Sequence, residues 1–187
     1  MEKKLSVAVI ILTKDEERHI ERCVRNVLQI SDEVYVVDSE STDRTCEIAE
    51  RFGATVVEHP WPGNQSEQFN WALDNLPLKS EWVLRLDADE YLTDELIEEL
   101  YEKVPQLPAD VSGVEFPRGY IFLGKELRRG TGRINQLRLF RRGKGRCEQR
   151  LMDEHIELTD GTTEQFNGAF FDDNLNNLSW WTQKHVG

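Results

Sequence analysis

Three carboxylates lie within four residues at the end of an apolar stretch. Residues 82–86 are typical of a buried strand, and Asp87, Asp89 and Glu90 follow it directly. Carboxylates this close repel one another. A hard divalent cation, Mg²⁺ or Mn²⁺, relieves that repulsion and accepts phosphate oxygens in its remaining positions. Strand alternation predicts Asp87 and Asp89 on the same side, with the small Ala88 leaving room for a ligand. This pattern predicts a metal-assisted phosphate site.

A second strand end is also acidic: Asp38 follows the apolar strand predicted at residues 33–37. The nearby Thr42 and Asp43 are explained as helix caps, but Asp38 needs another reason. A carboxylate at a strand end can accept a hydrogen bond from a nucleobase N–H or a ribose hydroxyl. Thr13 ends the first apolar strand in the same way. Together Thr13, Asp38 and Asp87 outline a nucleotide pocket.

The elements that must position these side chains alternate between strand and helix. Apolar strands are predicted at residues 7–12, 33–37, 54–58 and 82–86, and helices at residues 20–28, 42–52 and 65–75. The first helix is expected directly after its strand, with Thr13 and Glu16 at capping-box spacing. Such βαβ repetition predicts an α/β fold with a mostly parallel sheet and helices on both faces. Ligands in such folds bind outside the carboxyl ends of the strands.

A further helix is predicted to begin near Thr93, and the alternation of strand and helix stops after it. Residues 113–123 and 134–142 are predicted as antiparallel strands, separated by a glycine-rich basic segment. We therefore divide the chain into a ligand-binding half, residues 1–110, and a smaller, partly antiparallel half of the same domain, residues 111–187. The last residues carry Trp180 and Trp181 without an obvious helix end. A C-terminal extension is therefore expected in the whole protein.

The chain of 187 residues has 23 basic and 35 acidic side chains, a net charge of −12. Residues 118–150 are the exception, with 11 basic and two acidic side chains. An acidic protein is a poor general ligand for a phosphate backbone, so no nucleic-acid partner is expected. The basic segment instead predicts an anionic partner, either a charged acceptor molecule or an anionic membrane surface touched through residues 118–150.

Three cysteines without a CxxC pair favour a reducing compartment. The apolar run at residues 7–12 is short and meets charged residues at once, so it is a strand rather than a secretion signal. No stretch approaches the roughly 20 apolar residues of a membrane span. We expect a cytoplasmic protein that also contacts the inner face of the plasma membrane.

Several segments resemble those of one enzyme family in order and spacing. ILTKDE at residues 11–16, VVDS at 36–39 with STDRT at 41–45, and WVLRLDADE at 82–90 are similar to GT-A fold glycosyltransferases of family 2. RLF at 138–140, MDEH at 152–155 and WWTQKH at 180–185 resemble the branch of bacterial lipopolysaccharide-core glucosyltransferases. The resemblance covers nearly the whole chain.

The resemblance implies an inverting, metal-dependent enzyme. It would move a hexose, with glucose the first guess, from a UDP-sugar to an anionic lipid-linked saccharide such as the lipopolysaccharide core. Residues 1–110 would bind the donor, and residues 111–187 would form the acceptor side. Thr13, Glu16 and Asp38 would contact uridine, Asp87 the ribose or the Mg²⁺ or Mn²⁺ ion, and Asp89 the metal that bridges the diphosphate.

The resemblance also implies a carboxylate base in the second half of the chain. In inverting members such a group removes the proton from the acceptor hydroxyl, and a general base contributes about 10² to 10⁴ in rate. The matching segment contains Asp153 and Glu154. We assign Glu154 as the base, with Asp153 as the rival.

The chain departs from the family pattern at three positions. Asp15 stands where asparagine is common, Glu40 where glycine is common, and Phe69 where a lysine is common next to Asn70. These changes predict weaker donor binding, unless an arginine from the basic segment replaces the missing lysine.

Two other readings remain open. A phosphotransferase or phosphatase could also carry a DxD motif, although such folds favour threonine or valine where Tyr91 stands. A non-catalytic module that binds a nucleotide sugar or a glycolipid would need no base. His19 is predicted to be a solvated histidine on the first helix.

Overall fold

The structure is a computed structural model that describes residues 3–128, 133–148 and 155–177. The described residues form twelve strands and four helices. The strands are β1 (Val7–Thr13), β2 (Glu33–Asp38), β3 (Thr55–Glu58), β4 (Trp82–Asp87), β5 (Glu90–Leu92), β6 (Val111–Phe122), β7 (Lys125–Glu126), β8 (Ile134–Arg141), β9 (Gly145–Cys147), β10 (Ile156–Leu158), β11 (Thr162–Gln165) and β12 (Phe170–Asp173). The helices are α1 (Ile20–Val27), α2 (Thr45–Arg51), α3 (Gln65–Asn75) and α4 (Asp94–Lys103).

One large sheet organises the domain. Its strand order is β3-β2-β1-β4-β8-β6-β12-β5, with β7 and β11 also paired to β6. β3, β2, β1 and β4 run parallel, whereas β8 is antiparallel to both β4 and β6. A separate pair, β9 and β10, is antiparallel. The predicted α/β fold, with a mostly parallel sheet and a smaller antiparallel part, is confirmed.

Helices cover both faces of the sheet because β1 alternates between two cores. Val7, Val9 and Ile11 belong to one cluster, which also contains buried residues of α1, α2 and α4. Ile10 and Leu12 belong to the other, which contains α3. All seven residues of β1 are buried. A strand covered on both faces needs apolar residues at every position, which explains its unbroken apolar sequence.

The predicted capping box of the first helix is wrong. Thr13 is the last residue of β1, and α1 begins only at Ile20. The intervening chain turns through Asp15, whose φ of 54° is left-handed. A helix cannot start through a left-handed residue, so the backbone carbonyl of Glu16 accepts from the N–H groups of His19 and Ile20 instead.

The two predicted strands of the second half correspond to β6 and β8. Pairing of β8 with β4 joins them to the parallel strands, so residues from both halves contribute to one sheet. The short strands β5, β11 and β12 were not predicted. No helix among the described residues is both long enough and apolar enough to cross a bilayer.

Candidate active site

A cavity of about 500 Å³ lies at the carboxyl ends of β1 and β4. Four predicted site residues line it: Thr13, Glu16, Asp87 and Asp89. We call it the donor cavity. Asp38 is not among its lining residues.

Asp38 is fully buried and organises the loop beside the donor cavity. Its Oδ1 accepts from the hydroxyls of Thr13, at 2.7 Å, and Ser41, at 2.6 Å. Its Oδ2 accepts from the backbone N–H of Ser41 at 2.7 Å. These bonds tie the end of β1 to the loop after β2. A uridine contact for Asp38 therefore stays a prediction, beside the structural role that these bonds define.

Two departures from the family pattern fall on left-handed residues of the same loops. Asp15 has a φ of 54° and Glu40 a φ of 59°. Asparagine and glycine occupy this region most readily, whereas a residue with a longer side chain is strained there. Asp15 compensates, because its Oδ1 accepts from the backbone N–H of Thr42 at 2.7 Å, and this bond lowers the pKa of the carboxyl. Glu40 accepts one bond through its backbone carbonyl, from the Lys14 ammonium.

The acidic cluster after β4 divides into two roles. Asp87 and Asp89 line the donor cavity together with Ala88. Glu90 is fully buried instead, and its carboxylate accepts from the Asp87 backbone N–H at 2.9 Å and from the Arg138 guanidinium at 2.9 Å. Burial raises the pKa of Glu90 to about 7, although the neighbouring guanidinium opposes that shift. Glu90, which was not assigned to the site, thus has a structural role.

Asp172, at the end of β12, is a site residue that sequence reasoning missed. It lines the donor cavity, and its Oδ2 accepts from the Arg118 guanidinium at 2.7 Å. Burial raises the pKa of Asp172 to about 6, and the Asp89 and Asp87 carboxylates add to the shift. The available signal was two carboxylates directly after two phenylalanines, the same pattern as at the end of β4.

A clamp of hydrogen bonds fastens the end of β12 to the turn that carries Asp89. The Arg22 guanidinium donates to the Asp173 carboxylate at 2.6 Å and to the Asp89 backbone carbonyl at 3.1 Å. The Asp173 backbone N–H donates to the same carbonyl at 3.0 Å. The Asn174 amide donates to Asp89 Oδ2 at 3.1 Å. Both acidic strand ends are thereby held against the same cavity.

The prediction of a solvated His19 is wrong. The side chain is 1% exposed, and its Nε2 accepts from the Leu175 backbone N–H at 2.8 Å. The proton is accordingly assigned to Nδ1, which lies 2.6 Å from Glu16 Oε2 and donates to it. His19 thus orients a carboxylate of the donor cavity. Its burial depends on a segment 156 residues away in sequence, which no local pattern reveals.

Comparison with known proteins decides the family. The chain matches the model of glycosyl transferase family 2 over residues 8–162. It belongs to this family. A Rickettsia bellii protein described as an uncharacterized glycosyltransferase is 45% identical over 94 residues, covering 50% of this chain and 31% of that protein. A Rickettsia conorii relative with the same description is 42% identical over 102 residues, 54% of this chain and 35% of its own length. The chain therefore spans about a third of these relatives.

Solved structures of glycosyltransferases share the fold. Residues 1–349 of Staphylococcus aureus TarS match with a TM-score of 0.51 and 25% identity, over 62% of this chain and 36% of that one. A mannosyltransferase from Pyrobaculum calidifontis, solved with GDP-Man and Mn²⁺, has a TM-score of 0.51 and 27% identity over the same shares. The lipopolysaccharide-core branch stays a prediction.

A second cavity of about 750 Å³ adjoins the donor cavity of this family 2 domain. Gln65, Asp87 and Arg118 line both cavities. Arg85 and His155 line only the second, which we call the acceptor-side cavity. The predicted base Glu154 and its rival Asp153 lie outside the described residues. They directly precede His155 in sequence.

Most described basic side chains of residues 118–148 are already paired within the chain. Arg118 and Arg138 contact Glu90, Arg141 contacts Glu81, Lys144 contacts Asp160, and Arg146 contacts Asp74. The segment is therefore not one continuous anion-binding patch. One of its arginines, Arg118, does reach the donor cavity. Phe69, where a lysine is common in the family, is buried in the core under the Arg85 guanidinium.

The donor cavity offers ligand atoms of the kind that Mg²⁺ and Mn²⁺ prefer. Asp87, Asp89 and Asp172 supply hard oxygen atoms. Burial raises the pKa of Asp172, and the Asp89 and Asp87 carboxylates add to that rise. Within residues 3–128, 133–148 and 155–177, no three acidic, histidine or cysteine side chains are gathered closely enough to hold a metal ion alone. A cation here would complete its shell with phosphate oxygens and water.

Proposed function

We propose that this family 2 domain transfers a hexose, with inversion, from a UDP-sugar to a saccharide acceptor. Glucose is the first expectation for the sugar. One observation carries the proposal: carboxylates from two separate strand ends, Asp89 and Asp172, face one cavity that shares Asp87 and Arg118 with a second cavity. A donor site and an acceptor site must meet in this way at the carbon that is transferred.

The donor cavity suits a nucleoside diphosphate in two ways. Thr13 and Glu16 lie at one side, and the half-exposed indole of Trp61 offers a face on which a base can stack. Asp87 and Asp89 lie where the diphosphate would enter. Asp87 and Asp89, together with diphosphate oxygens, would hold Mg²⁺ or Mn²⁺, and the cation would neutralise the charge that develops on the leaving diphosphate.

The acceptor hydroxyl is placed in the acceptor-side cavity. Glu154 takes its proton as the acceptor oxygen bonds to the anomeric carbon and the bond from that carbon to the diphosphate breaks. Asp153 is the alternative base. Both residues directly precede His155 in the sequence, and His155 lines the acceptor-side cavity, which supports this assignment. Arg118 lines both cavities, where its guanidinium could also hold a phosphate oxygen of the donor.

We infer that the acceptor is an anionic, lipid-linked saccharide such as the lipopolysaccharide core, met at the inner face of the plasma membrane. The resemblance of residues 138–140, 152–155 and 180–185 to the core glucosyltransferases supports this. The guanidinium of Arg85, which lines the acceptor-side cavity, suits a phosphate or carboxylate on that saccharide.

Measurement of UDP release tests the proposed donor and the proposed requirement for a metal ion. The wild-type chain should release UDP from UDP-glucose with Mn²⁺ and not with chelator, and calorimetry should show UDP binding that requires Mn²⁺. Asp89→Asn should abolish both, whereas Asp94→Asn, an exposed aspartate on α4, should abolish neither. Full activity of Asp89→Asn would refute the metal assignment.

A second pair of variants tests the base. Glu154→Gln should keep UDP binding and lose about 10² to 10⁴ in turnover, with Asp153→Asn as the matched control. The reverse result would assign Asp153. UDP binding without transfer to any acceptor would favour the binding module, and phosphate release from p-nitrophenyl phosphate would favour the phosphotransferase.

A further inference from the structure

The hairpin formed by β6 and β7 ends in an unusual turn. Ile121 pairs with Glu126 and Phe122 pairs with Lys125, which leaves Leu123 and Gly124 as a two-residue loop. Both loop residues are left-handed, with φ of 49° and 75°. Two-residue loops of this kind favour Asn-Gly or Asp-Gly, because a leucine at positive φ is strained. We call residues 122–128 the hairpin tip.

The strain of Leu123 is not offset by burial. Its side chain is 73% exposed, the largest value among the large hydrophobic residues that the structure describes. Phe122 and Leu127, in the same hairpin, are also exposed. Six large hydrophobic residues are exposed among the described residues, and three of them belong to the hairpin tip. Folding gains nothing from an exposed, strained leucine, which indicates that an external partner contacts it.

Cations surround this apolar tip although the protein as a whole is acidic. Lys125, Arg128 and Arg133 are set against one carboxylate, Glu126, to which both arginines are bonded. The other basic side chains of the segment are largely neutralised by carboxylates elsewhere in the fold. A positive rim around exposed leucine and phenylalanine complements an anionic lipid surface, where apolar groups enter the acyl boundary and cations meet the phosphates.

We propose that the hairpin tip docks the domain on an anionic phospholipid bilayer. β6 links this contact to the proposed active site, because Arg118 and Tyr120 of the same strand line the acceptor-side cavity. A strand rises about 3.3 Å per residue, so Leu123 lies roughly 16 Å along the strand from Arg118. A saccharide tethered to a lipid can span that distance. The functional consequence rests on the proposed function, whereas the membrane contact itself does not.

Vesicle sedimentation tests the contact. The full chain should bind vesicles of phosphatidylglycerol and phosphatidylethanolamine and should not bind vesicles of phosphatidylcholine alone. Leu123→Asn removes the apolar side chain and suits the left-handed backbone, so it should fold while its partition coefficient falls about tenfold or more. Lys125→Gln should lower the coefficient about fivefold. The matched controls are Leu175→Asn, another exposed leucine, and Arg25→Gln on α1, which should bind as the wild type does.

Three results would overturn the proposal. The first is a wild-type chain that does not bind anionic vesicles, and the second is a Leu123→Asn variant that binds them as tightly as wild type. The third is a wild-type dimer, detected by sedimentation velocity, that the Leu123→Asn substitution dissociates. The last result would make the tip a contact between two copies of the chain. Asp89→Asn separates the two hypotheses, because it should still bind vesicles even though UDP release is lost.

Discussion

Replacing Asp172 by asparagine tests whether its carboxylate belongs to a cation site. Burial and the nearby Asp89 and Asp87 raise the pKa of Asp172 from 3.8 to about 6. The folded state then binds a proton that the unfolded state has released, so wild-type stability falls as the pH rises from about 4 to about 6. The size of that fall is on the order of 3 kcal/mol. The variant lacks the titrating group and should lack this component.

Urea unfolding followed by tryptophan fluorescence measures the effect. At pH 4 the two proteins should be equally stable, and above pH 6.5 Asp172→Asn should be the more stable by about 3 kcal/mol. Saturating Mn²⁺ should remove that advantage, because the cation favours the ionised carboxylate. Parallel stability curves without metal, or equal stabilisation of both proteins by Mn²⁺, would refute the reasoning.

Three further substitutions probe the framework of the site. Glu40→Gly removes the strain of a left-handed glutamate and should raise stability by about 1 kcal/mol and tighten UDP binding, as measured by thermal unfolding and calorimetry. Arg22→Gln breaks the clamp at the Asp89 carbonyl and should weaken Mn²⁺ binding about tenfold in a metal titration, while stability falls by about 1 to 3 kcal/mol. Gly168→Ala places a Cβ 2.4 Å from the Leu96 Cα atom, and because backbone cannot yield, stability should fall by about 1 to 3 kcal/mol.

The central part of the fold could be predicted because its signals are local. The apolar runs of β1, β2 and β4 reflect burial on both faces, and the polar residues that follow them mark the carboxyl edge of the sheet. Thr13, Asp87 and Asp89 were found in this way. The family resemblance added Glu16, which periodicity alone would have placed in a helix cap.

The rest depended on pairings between distant segments. Asp172 joins the donor cavity because β12 pairs with both β5 and β6, and four-residue strands leave little pattern in a sequence. For the same reason the sequence did not show how much of the basic segment is neutralised, since carboxylates such as Asp74 and Glu81 reach it only in the folded chain. Counting charges along a sequence cannot show which of them remain unpaired.

Backbone pairing and the Arg22 hydrogen bonds keep the carboxylates of Asp89 and Asp172 close together in the donor cavity. Antiparallel pairing places Asp172 opposite Glu90, and the Arg22 clamp fixes the backbone of Asp89, so neither strand end can retreat from the other. Burial raises the pKa of Asp172 most, and the nearby Asp89 and Asp87 carboxylates raise it further. A flexible loop would relax and lose the repulsion, but it would then have to reorganise when a cation arrived. In a rigid cavity the free energy of holding the like charges together is supplied by folding, so none is needed when the cation binds. Preorganised sites gain affinity for a charge in this way.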